Sequence, residues 1–401
     1  MQKTHNINRI IASFYIVLMS IAIVPIEGYG VSNLKVAALT IAPLILFFRT
    51  PRLSKVILLT ILYYLLVFFS AYLVNHDSFR ASTIIYLGMF LLMFVMYYNL
   101  IYFEHAFSII YFLKLIKFVI YAFTICLILQ QIAVLLGAKY VLGNFLNIAL
   151  FEDNPFRLNS LAIEPSHSAR VMGAWFLALL KINEYKVGRK LSLKEIYKGN
   201  KWIILGFLYS MITMGSGTAF VVLAILSLYF IHRRYVLVIV PAFVLLYISS
   251  QSIDFEPLDR AKKTFEASLT GDAETVIKAD ASAAFRVIPI INTFKSLNLF
   301  SSATWFGNGT DSTVFSTNIY DTMDTKGKIG MINEYGLLSY IVLLIFVFSC
   351  TIRKFFSIET LLFFVLLAGT IGNVAYPWGV LMIFSTIKYF NNQHKKLKCH
   401  L

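Results

Sequence analysis

Apolar segments long enough to cross a bilayer recur along the whole chain and are separated by short polar stretches. Only helices and closed barrels satisfy their backbone groups inside a membrane, and a helix needs about 20 apolar residues to cross it. The pattern predicts an all-α polytopic membrane protein with about twelve transmembrane helices, forming a single integral-membrane domain over residues 1–401. The predicted spans are 9–26, 33–48, 56–75, 81–101, 116–136, 167–183, 202–215, 217–231, 235–252, 331–350, 358–374 and 377–390.

Composition and charge agree with this class. The mean hydropathy is +0.75 and 14% of the residues are charged, against about 25% in a soluble domain. A net charge of +15 would suggest nucleic acid as a partner of a soluble protein, but most of the Lys and Arg residues lie in segments that alternate between spans. That bias predicts cytoplasmic N- and C-termini and no nucleic-acid partner. Pro25-Ile26-Glu27-Gly28 offers no small-x-small cleavage site, so the first span is interpreted as uncleaved.

This topology leaves two sizeable external segments, 137–166 and 253–330. The first ends in NPFRLNSLAIEPSHSAR, residues 154–170, where ionisable side chains meet the start of a span. Glu164 followed by Pro165 is typical of a helix start. Glu164, His167 and Arg170 are spaced three apart and share one broad helix face. Two interpretations of Arg170 stay open: it faces a wet cavity or a partner inside the membrane, or it snorkels to the surface and pairs with Glu164.

Two arginines of the external segments are further candidates. Arg157 precedes the helix start, and Arg286 lies in the second segment before an apolar stretch. Arginines that converge from separate loops would bind a phosphate or diphosphate without a metal. No metal site is predicted, because Asp321 and Asp324 have the wrong spacing for an Asp-x-Asp motif and the histidines show no paired ligand spacing. Cys126, Cys350 and Cys399 form neither a metal pattern nor a disulfide framework.

The order of several short motifs resembles a known family. The motifs are R-L-x-S-L-x-x-E-P-S-x-x-A (157–169), T-M-G-S-G-T-A (213–219), Arg286 with F-G-N-G (306–309) in the long loop, and I-N-E-Y-G-L-L (332–338). This order is similar to that of the Wzy-type O-antigen and capsular polysaccharide polymerases and, more loosely, the O-antigen ligases. The resemblance covers about residues 150–345 and the number of spans. The turn at Met214–Gly217 lacks an arginine that the family pattern would place there, so no role of that arginine is carried over.

The resemblance implies a GT-C-like membrane glycosyltransferase in the bacterial cytoplasmic (inner) membrane, with its active site on the periplasmic or external face. Its substrate would be an oligosaccharide repeat unit on undecaprenyl diphosphate, and the growing glycan would move onto the non-reducing end of a new lipid-linked unit. The resemblance implies no metal or other cofactor. A chain-length regulator and a flippase are partners that it leaves open.

The resemblance and the residue chemistry together assign candidate roles. Fixed guanidinium groups of Arg157 and Arg286, with Arg170 as a third, would stabilise a leaving diphosphate. The acceptor hydroxyl needs a base, for which Glu164 is the first candidate and His167 the second, although Glu164 could instead hold an arginine and cap the helix. The remaining candidates for binding phosphate or sugar are Gly307, Asn308 and Gly309, through backbone amides, and Asn333 and Glu334.

Three alternatives remain at this stage. An O-antigen ligase would use the same donor and transfer the glycan to lipid A-core. A flippase for lipid-linked oligosaccharide is the alternative from another class, although transporters usually show repeat symmetry and charges near the midplane, whereas here the polar residues collect at one face. A membrane acyltransferase is a third, for which the chain shows no His-Asp site.

Overall fold

The computed structural model describes most of the predicted spans. The described residues are 2–22, 32–48, 52–148, 154–231, 297–310, 329–367, 371–372 and 374–399, with 263, 266, 275, 278, 288, 290 and 292–294. Every regular element within them is a helix. In chain order these are α1 (Gln2–Ser20), α2 (Asn33–Phe48), α3 (Lys55–Phe68), α4 (Ala81–Tyr102), α5 (Ile109–Leu135), α6 (Lys139–Leu146), α7 (Pro165–Val187), α8 (Leu193–Thr213), α9 (Gly217–Ser227), α10 (Ser302–Phe306), α11 (Gly330–Thr351), α12 (Ile358–Leu366) and α13 (Ala375–Cys399). A π-helical stretch, Phe69–Val74, continues α3, and a 3₁₀ turn, His76–Ser78, follows it.

The predicted all-helical class is confirmed for the described residues, and their apolar helices are consistent with a membrane protein. Within the described residues, four segments are long and apolar enough to cross a membrane: Lys55–Val74, Ala81–Tyr102, Ile109–Leu135 and Gly330–Thr351. Two shorter apolar helices are α2 and α9. Apart from 235–252, which lies outside the described residues, each predicted span coincides in part with a described helix.

Several helix ends differ from the predicted spans, for local reasons. Helix α8 begins at Leu193 instead of 202, because Ser192 and Glu195 form a capping box that stabilises a polar first segment. A kink at Asn200 then separates that segment from the apolar part. Helix α5 begins at Ile109 instead of 116, where the side chain of Ser108 accepts a hydrogen bond from a backbone amide of the first turn. The predicted starts of these two helices followed the change from polar to apolar residues, whereas the observed starts follow the capping residues.

The chain divides into two compact units. The first consists of Met1–Ile57, Tyr86–Phe230 and Val347–Leu401, and the second of Leu58–Ile85 and Ile231–Phe346. The first unit contains α1, α2, most of α4, α5–α9, α12 and α13, and the second contains α10 and most of α3 and α11.

Helix α7 is the central helix of the first unit. It packs against α13, α5 and α9, and α13 also packs against α1. Trp175 is fully buried in α7, and Phe176 stacks on Phe207 of α8 with ring centroids 3.9 Å apart. Gly173 lies so close to Val222 of α9 that an added Cβ would be 2.4 Å from its Cγ1. A helix buried on nearly all sides is a rigid support for the residues at its N-terminal end.

Candidate functional site

Helix α7 begins where the sequence predicts, at Pro165 directly after Glu164. Glu164 has an extended backbone, and its carbonyl oxygen accepts hydrogen bonds from the amides of His167 and Ser168 at 3.1 Å. Pro165 occupies the first helical position, where its missing N–H leaves no intrahelical bond unmade. The predicted helix start is confirmed.

Three predicted site residues lie together with Tyr376, a residue near the start of α13 that the sequence analysis did not single out. We call Glu164, His167, Arg170 and Tyr376 the Arg170 cluster; all four belong to the first unit. The imidazole of His167 stacks on the ring of Tyr376, with centroids 4.1 Å apart and planes at 25°. Its Nε2 atom lies 3.8 Å from Oε2 of Glu164, whose side chain is 46% exposed. Glu164 thus forms the open edge of the cluster, and His167 lies between it and Tyr376.

Arg170 is the buried member of the cluster. It is 9% exposed, and its Nη1 atom donates a hydrogen bond of 2.8 Å to the hydroxyl oxygen of Tyr376. Its Nε atom is buried and has no hydrogen-bond partner among the described residues. Of the two interpretations of Arg170, the structure favours burial against a partner, and that partner is Tyr376 instead of Glu164.

The guanidinium of Arg170 forms no ion pair within the described part of the chain. The ion pairs there join other residues, and the contacts of Arg170 are the hydrogen bond to Tyr376 and the approach of its Cζ atom to 5.9 Å from the ring centroid of Tyr376. A buried cation without an anion is destabilising. A bound anion would remove that penalty, and a fixed guanidinium in a site of low dielectric would bind one strongly.

The other two candidate arginines, Arg157 and Arg286, are not members of the Arg170 cluster. Arg157 is exposed, in a turn where its amide donates to the carbonyl of Asn154 at 3.1 Å. It lies in the same loop as Glu164, seven residues earlier in the chain. Arg286 lies outside the described residues. Convergence of the three arginines therefore stays a prediction.

The loop before α7 is fixed by hydrogen bonds to Gln130, a fully buried residue of α5. Its Nε2 atom donates to the carbonyl oxygens of Leu146, Asn147 and Ser160 at 2.8, 3.2 and 3.0 Å. Its Oε1 atom accepts a hydrogen bond of 2.8 Å from the amide of Ser160. One side chain therefore contacts four backbone groups, two at the C-terminal end of α6 and two of Ser160 in the buried segment before α7, which would otherwise be costly to bury inside a membrane protein.

Two buried asparagines complete this support. Asn147 ends α6 with a left-handed backbone, and its Nδ2 atom donates to the carbonyls of Ala22 and Ser160 at 3.1 and 2.7 Å. Asn159 donates to the carbonyls of Asn147 and Ala162 at 3.0 and 2.5 Å. The segment that leads from Arg157 to Glu164 is thereby tied to α5, to α6 and to the residues just after α1.

The remaining predicted site residues lie together in the second unit. The amide of Asn308 donates to the carbonyl of Asn333 at 2.7 Å, and the amide of Gly309 donates to that of Glu334 at 3.1 Å. The side chains of Asn308 and Asn333 also pair, at 3.0 Å. The F-G-N-G and I-N-E-Y-G motifs are thus in direct contact. The two amides already have acceptors within the chain, which leaves the predicted role of binding phosphate through these amides without geometric support.

The glycines of this contact are explained by close packing of two backbones. Helix α11 breaks at Gly336, whose φ is +84°, and an added Cβ there would lie 2.1 Å from the carbonyl oxygen of Trp305. An added Cβ at Gly307, with φ +78°, would lie 2.3 Å from the carbonyl oxygen of Glu334. Only glycine combines these angles with such an approach. The break in α11 is compensated by the amides of Asn308 and Gly309.

Sequence reasoning missed Tyr376 and Gln130. Tyr376 is 206 residues from Arg170 in the chain, and an A-Y-P-W stretch at the start of an apolar span carries no chemical signature. Gln130 offered a signal, since two adjacent glutamines interrupt an otherwise apolar span and polar side chains within a membrane helix usually have a partner. Among the described residues, no group of three or more His, Cys, Asp or Glu side chains could hold a metal ion.

Comparison of the chain with protein-family models, with curated proteins and with solved structures found no match.

Proposed function

We propose that this protein is a membrane glycosyltransferase that polymerises lipid-linked oligosaccharide repeat units, as the Wzy-type polymerases do. The motifs from Arg157 to Leu338 support the family, and the helical membrane architecture is of the kind that such an enzyme requires. The proposal includes a GT-C-like fold of about twelve spans, cytoplasmic termini, and a site on the periplasmic face of the bacterial inner membrane.

The observation that carries the proposal is the buried guanidinium of Arg170, which has no carboxylate partner among the described residues. A glycosyl transfer from a lipid diphosphate develops negative charge on the leaving group. A cation already fixed by burial would stabilise that charge without reorganisation in the transition state. In this proposal Arg157, in the exposed part of the same loop, contacts the same diphosphate, and the role of Arg286 stays a prediction from the resemblance.

The reaction has a simple balance of bonds. A hydroxyl group at the non-reducing end of the new lipid-linked unit attacks the anomeric carbon of the growing glycan. The bond from that carbon to the diphosphate oxygen breaks, and the lipid diphosphate leaves with the electron pair. The hydroxyl proton passes to a base, for which Glu164, half exposed and beside His167, is the first candidate and His167 the second. In this scheme the side chains of Asn333 and Glu334 bind sugar hydroxyls.

Deletion of the gene in its native strain, followed by sizing of surface and lipid-linked glycans, tests the proposal. We expect the glycan ladder to collapse to one repeat unit on its acceptor. Full-length polymer that accumulates on lipid diphosphate would instead indicate a ligase. Single units trapped on the cytoplasmic side would indicate a flippase, and either result would overturn the proposal.

Complementation with variants then tests the site itself. We expect Arg170→Ala to fail to restore the ladder and Arg189→Ala to restore it, because Arg189 is exposed and pairs with Glu195 beyond the far end of α7. Equal protein amounts in the membrane fraction are the control. Restoration by Arg170→Ala would remove the observation on which the proposal depends.

A further inference from the structure

We infer that Tyr376 is a second binding group for the anion that Arg170 holds, and that its hydroxyl donates a hydrogen bond to a phosphoryl oxygen of that anion. The identity of the anion as a diphosphate rests on the proposed function. The role of Tyr376 rests on the geometry of its contact with Arg170.

The direction of that hydrogen bond leaves a proton available. A guanidinium nitrogen can only donate, so the hydroxyl oxygen of Tyr376 must be the acceptor in its 2.8 Å contact with Nη1 of Arg170. The O–H proton of Tyr376 is therefore not used in this bond, and no other hydrogen bond of this hydroxyl is formed within the described part of the chain. The Nε–H of Arg170 is likewise without an acceptor there.

Two neighbouring groups thus present donors without acceptors, and one of them is a buried cation. For the buried guanidinium this arrangement is unfavourable until a ligand supplies oxygen atoms and negative charge. Phosphoryl oxygens provide both, and hydrogen bonds from arginine to phosphate are strengthened by the opposite charges. Tyr376 is partly exposed while Arg170 is buried, so a ligand would reach the phenol first.

The ring of Tyr376 gives the residue a second contact with the proposed site. It stacks on His167 at a centroid distance of 4.1 Å, and His167 lies next to Glu164. Removing the hydroxyl alone would keep this stacking, so Tyr376→Phe separates donation to an anion from support of the imidazole. Tyr389→Phe is the matched control, because Tyr389 lies on the same helix and its hydroxyl contacts Nδ1 of His105 at 2.9 Å.

The test measures binding of inorganic pyrophosphate to the full-length protein in lipid nanodiscs, by titration calorimetry. We expect wild type and Tyr389→Phe to bind with equal affinity, Tyr376→Phe to bind about tenfold or more weakly, and Arg170→Ala to show no binding. Wild-type affinity of Tyr376→Phe together with loss in Arg170→Ala would overturn the inference and leave the proposed function standing. Absence of binding to wild type would overturn both.

A second variant covers the case in which Tyr376→Phe does not fold. Incorporation of a ring-fluorinated tyrosine at position 376 keeps the shape of the side chain and makes its phenol more acidic. We expect pyrophosphate affinity of this protein to fall as the pH rises through ionisation of the phenol, because the phenolate cannot donate. An affinity with the same pH dependence as that of wild type would contradict donation by Tyr376.

Discussion

A largely buried cation lies towards each end of α7, and the two cations differ in their carboxylate partners. Arg170, near the N-terminal end, is 9% exposed and has a phenol as its hydrogen-bond partner. Lys181, about 16 Å further along the helix, is also largely buried, and its Nζ atom lies 3.0 Å from Oε1 of Glu359 and 3.2 Å from Oε2 of Glu184. One cation has no carboxylate partner in the described part of the chain, and the other has two.

The surroundings of Lys181 are those of a structural ion pair. Glu359 belongs to α12, and Glu184 also accepts a hydrogen bond of 3.1 Å from the hydroxyl of Tyr229. The side chains of Lys181, Glu359 and Glu184 are 14%, 13% and 25% exposed. These contacts join α7 to α12 and to the residues that follow α9. The contrast is that the charge of Lys181 is neutralised by carboxylates of the chain, whereas Arg170 has no carboxylate partner among the described residues.

Replacement of Arg170 should produce the largest effect. We expect Arg170→Ala to lower the rate of glycan transfer from a lipid-linked donor by at least about 100-fold, the size of effect seen when one preorganised electrostatic group is removed. Stability should change little, because the variant also removes a buried charge without a counter-ion. Transfer assays and thermal unfolding of the same preparation check both parts. A variant that is much less stable and transfers at the wild-type rate would show that Arg170 has a structural role and does not serve the reaction.

Replacement of Lys181 should show the opposite pattern. Lys181→Met leaves two carboxylates close together in a shielded setting, and we expect the free energy of unfolding to fall by about 2 to 3 kcal/mol, less than for a fully buried pair. Below its lowered Tm the variant should transfer glycan at close to the wild-type rate. Denaturant unfolding in detergent measures the first expectation. Loss of transfer in a fully folded Lys181→Met protein would show that both ends of α7 serve the reaction.

A double substitution sharpens the assignment of Lys181. Adding Glu359→Gln to Lys181→Met removes one of the stranded carboxylates, so the double variant should be more stable than the sum of the single changes predicts. We expect a coupling of about 1 to 2 kcal/mol, within the range for residues in direct contact. Additive effects would mean that Glu359 does not neutralise Lys181.

The smallest effect is expected for an exposed ion pair, that of Arg189 with Glu195 at the start of α8. A hydrogen bond from Arg189, followed by those from the amide and hydroxyl of Ser192, lowers the pKa of Glu195 from its usual 4.5 to about 2. A carboxyl with a lowered pKa in the folded state stabilises it above the unfolded pKa, and this contribution disappears as the pH falls from 4.5 to about 2.

Arg189→Ala removes the largest cause of this shift. Because the pair is exposed, we expect Tm at neutral pH to fall by at most about 1 °C. The difference from wild type should shrink in high salt and vanish below about pH 2. Thermal unfolding as a function of pH and salt checks this. A loss of stability as large as that of Lys181→Met would show that burial does not explain the different contributions of Lys181 and Arg189.

Local patterns predicted the helix that carries the Arg170 cluster correctly. The Glu164–Pro165 pair marked the start of α7, and spacing by three placed His167 and Arg170 on one face of that helix near its beginning. The pairing of Asn308 with Asn333 is a different case, because both motifs were noticed as site elements while their contact was not predicted. The segment after α10 contacts the break in α11 at glycine residues, and such a backbone contact leaves little trace in polarity or spacing.

The helical membrane class and the helix start at Pro165 follow from local features of the chain: apolar run length, charge distribution and capping, which act over a few residues. Three features follow only from tertiary packing: the pairing of Arg170 with Tyr376, the contact of Lys181 with Glu359, and the support of the loop before α7 by Gln130. In each of these contacts the partner lies on another helix or loop, 206 residues away for Arg170 and Tyr376. A helical period determines which residues share a face, but the docking of helices determines what that face meets.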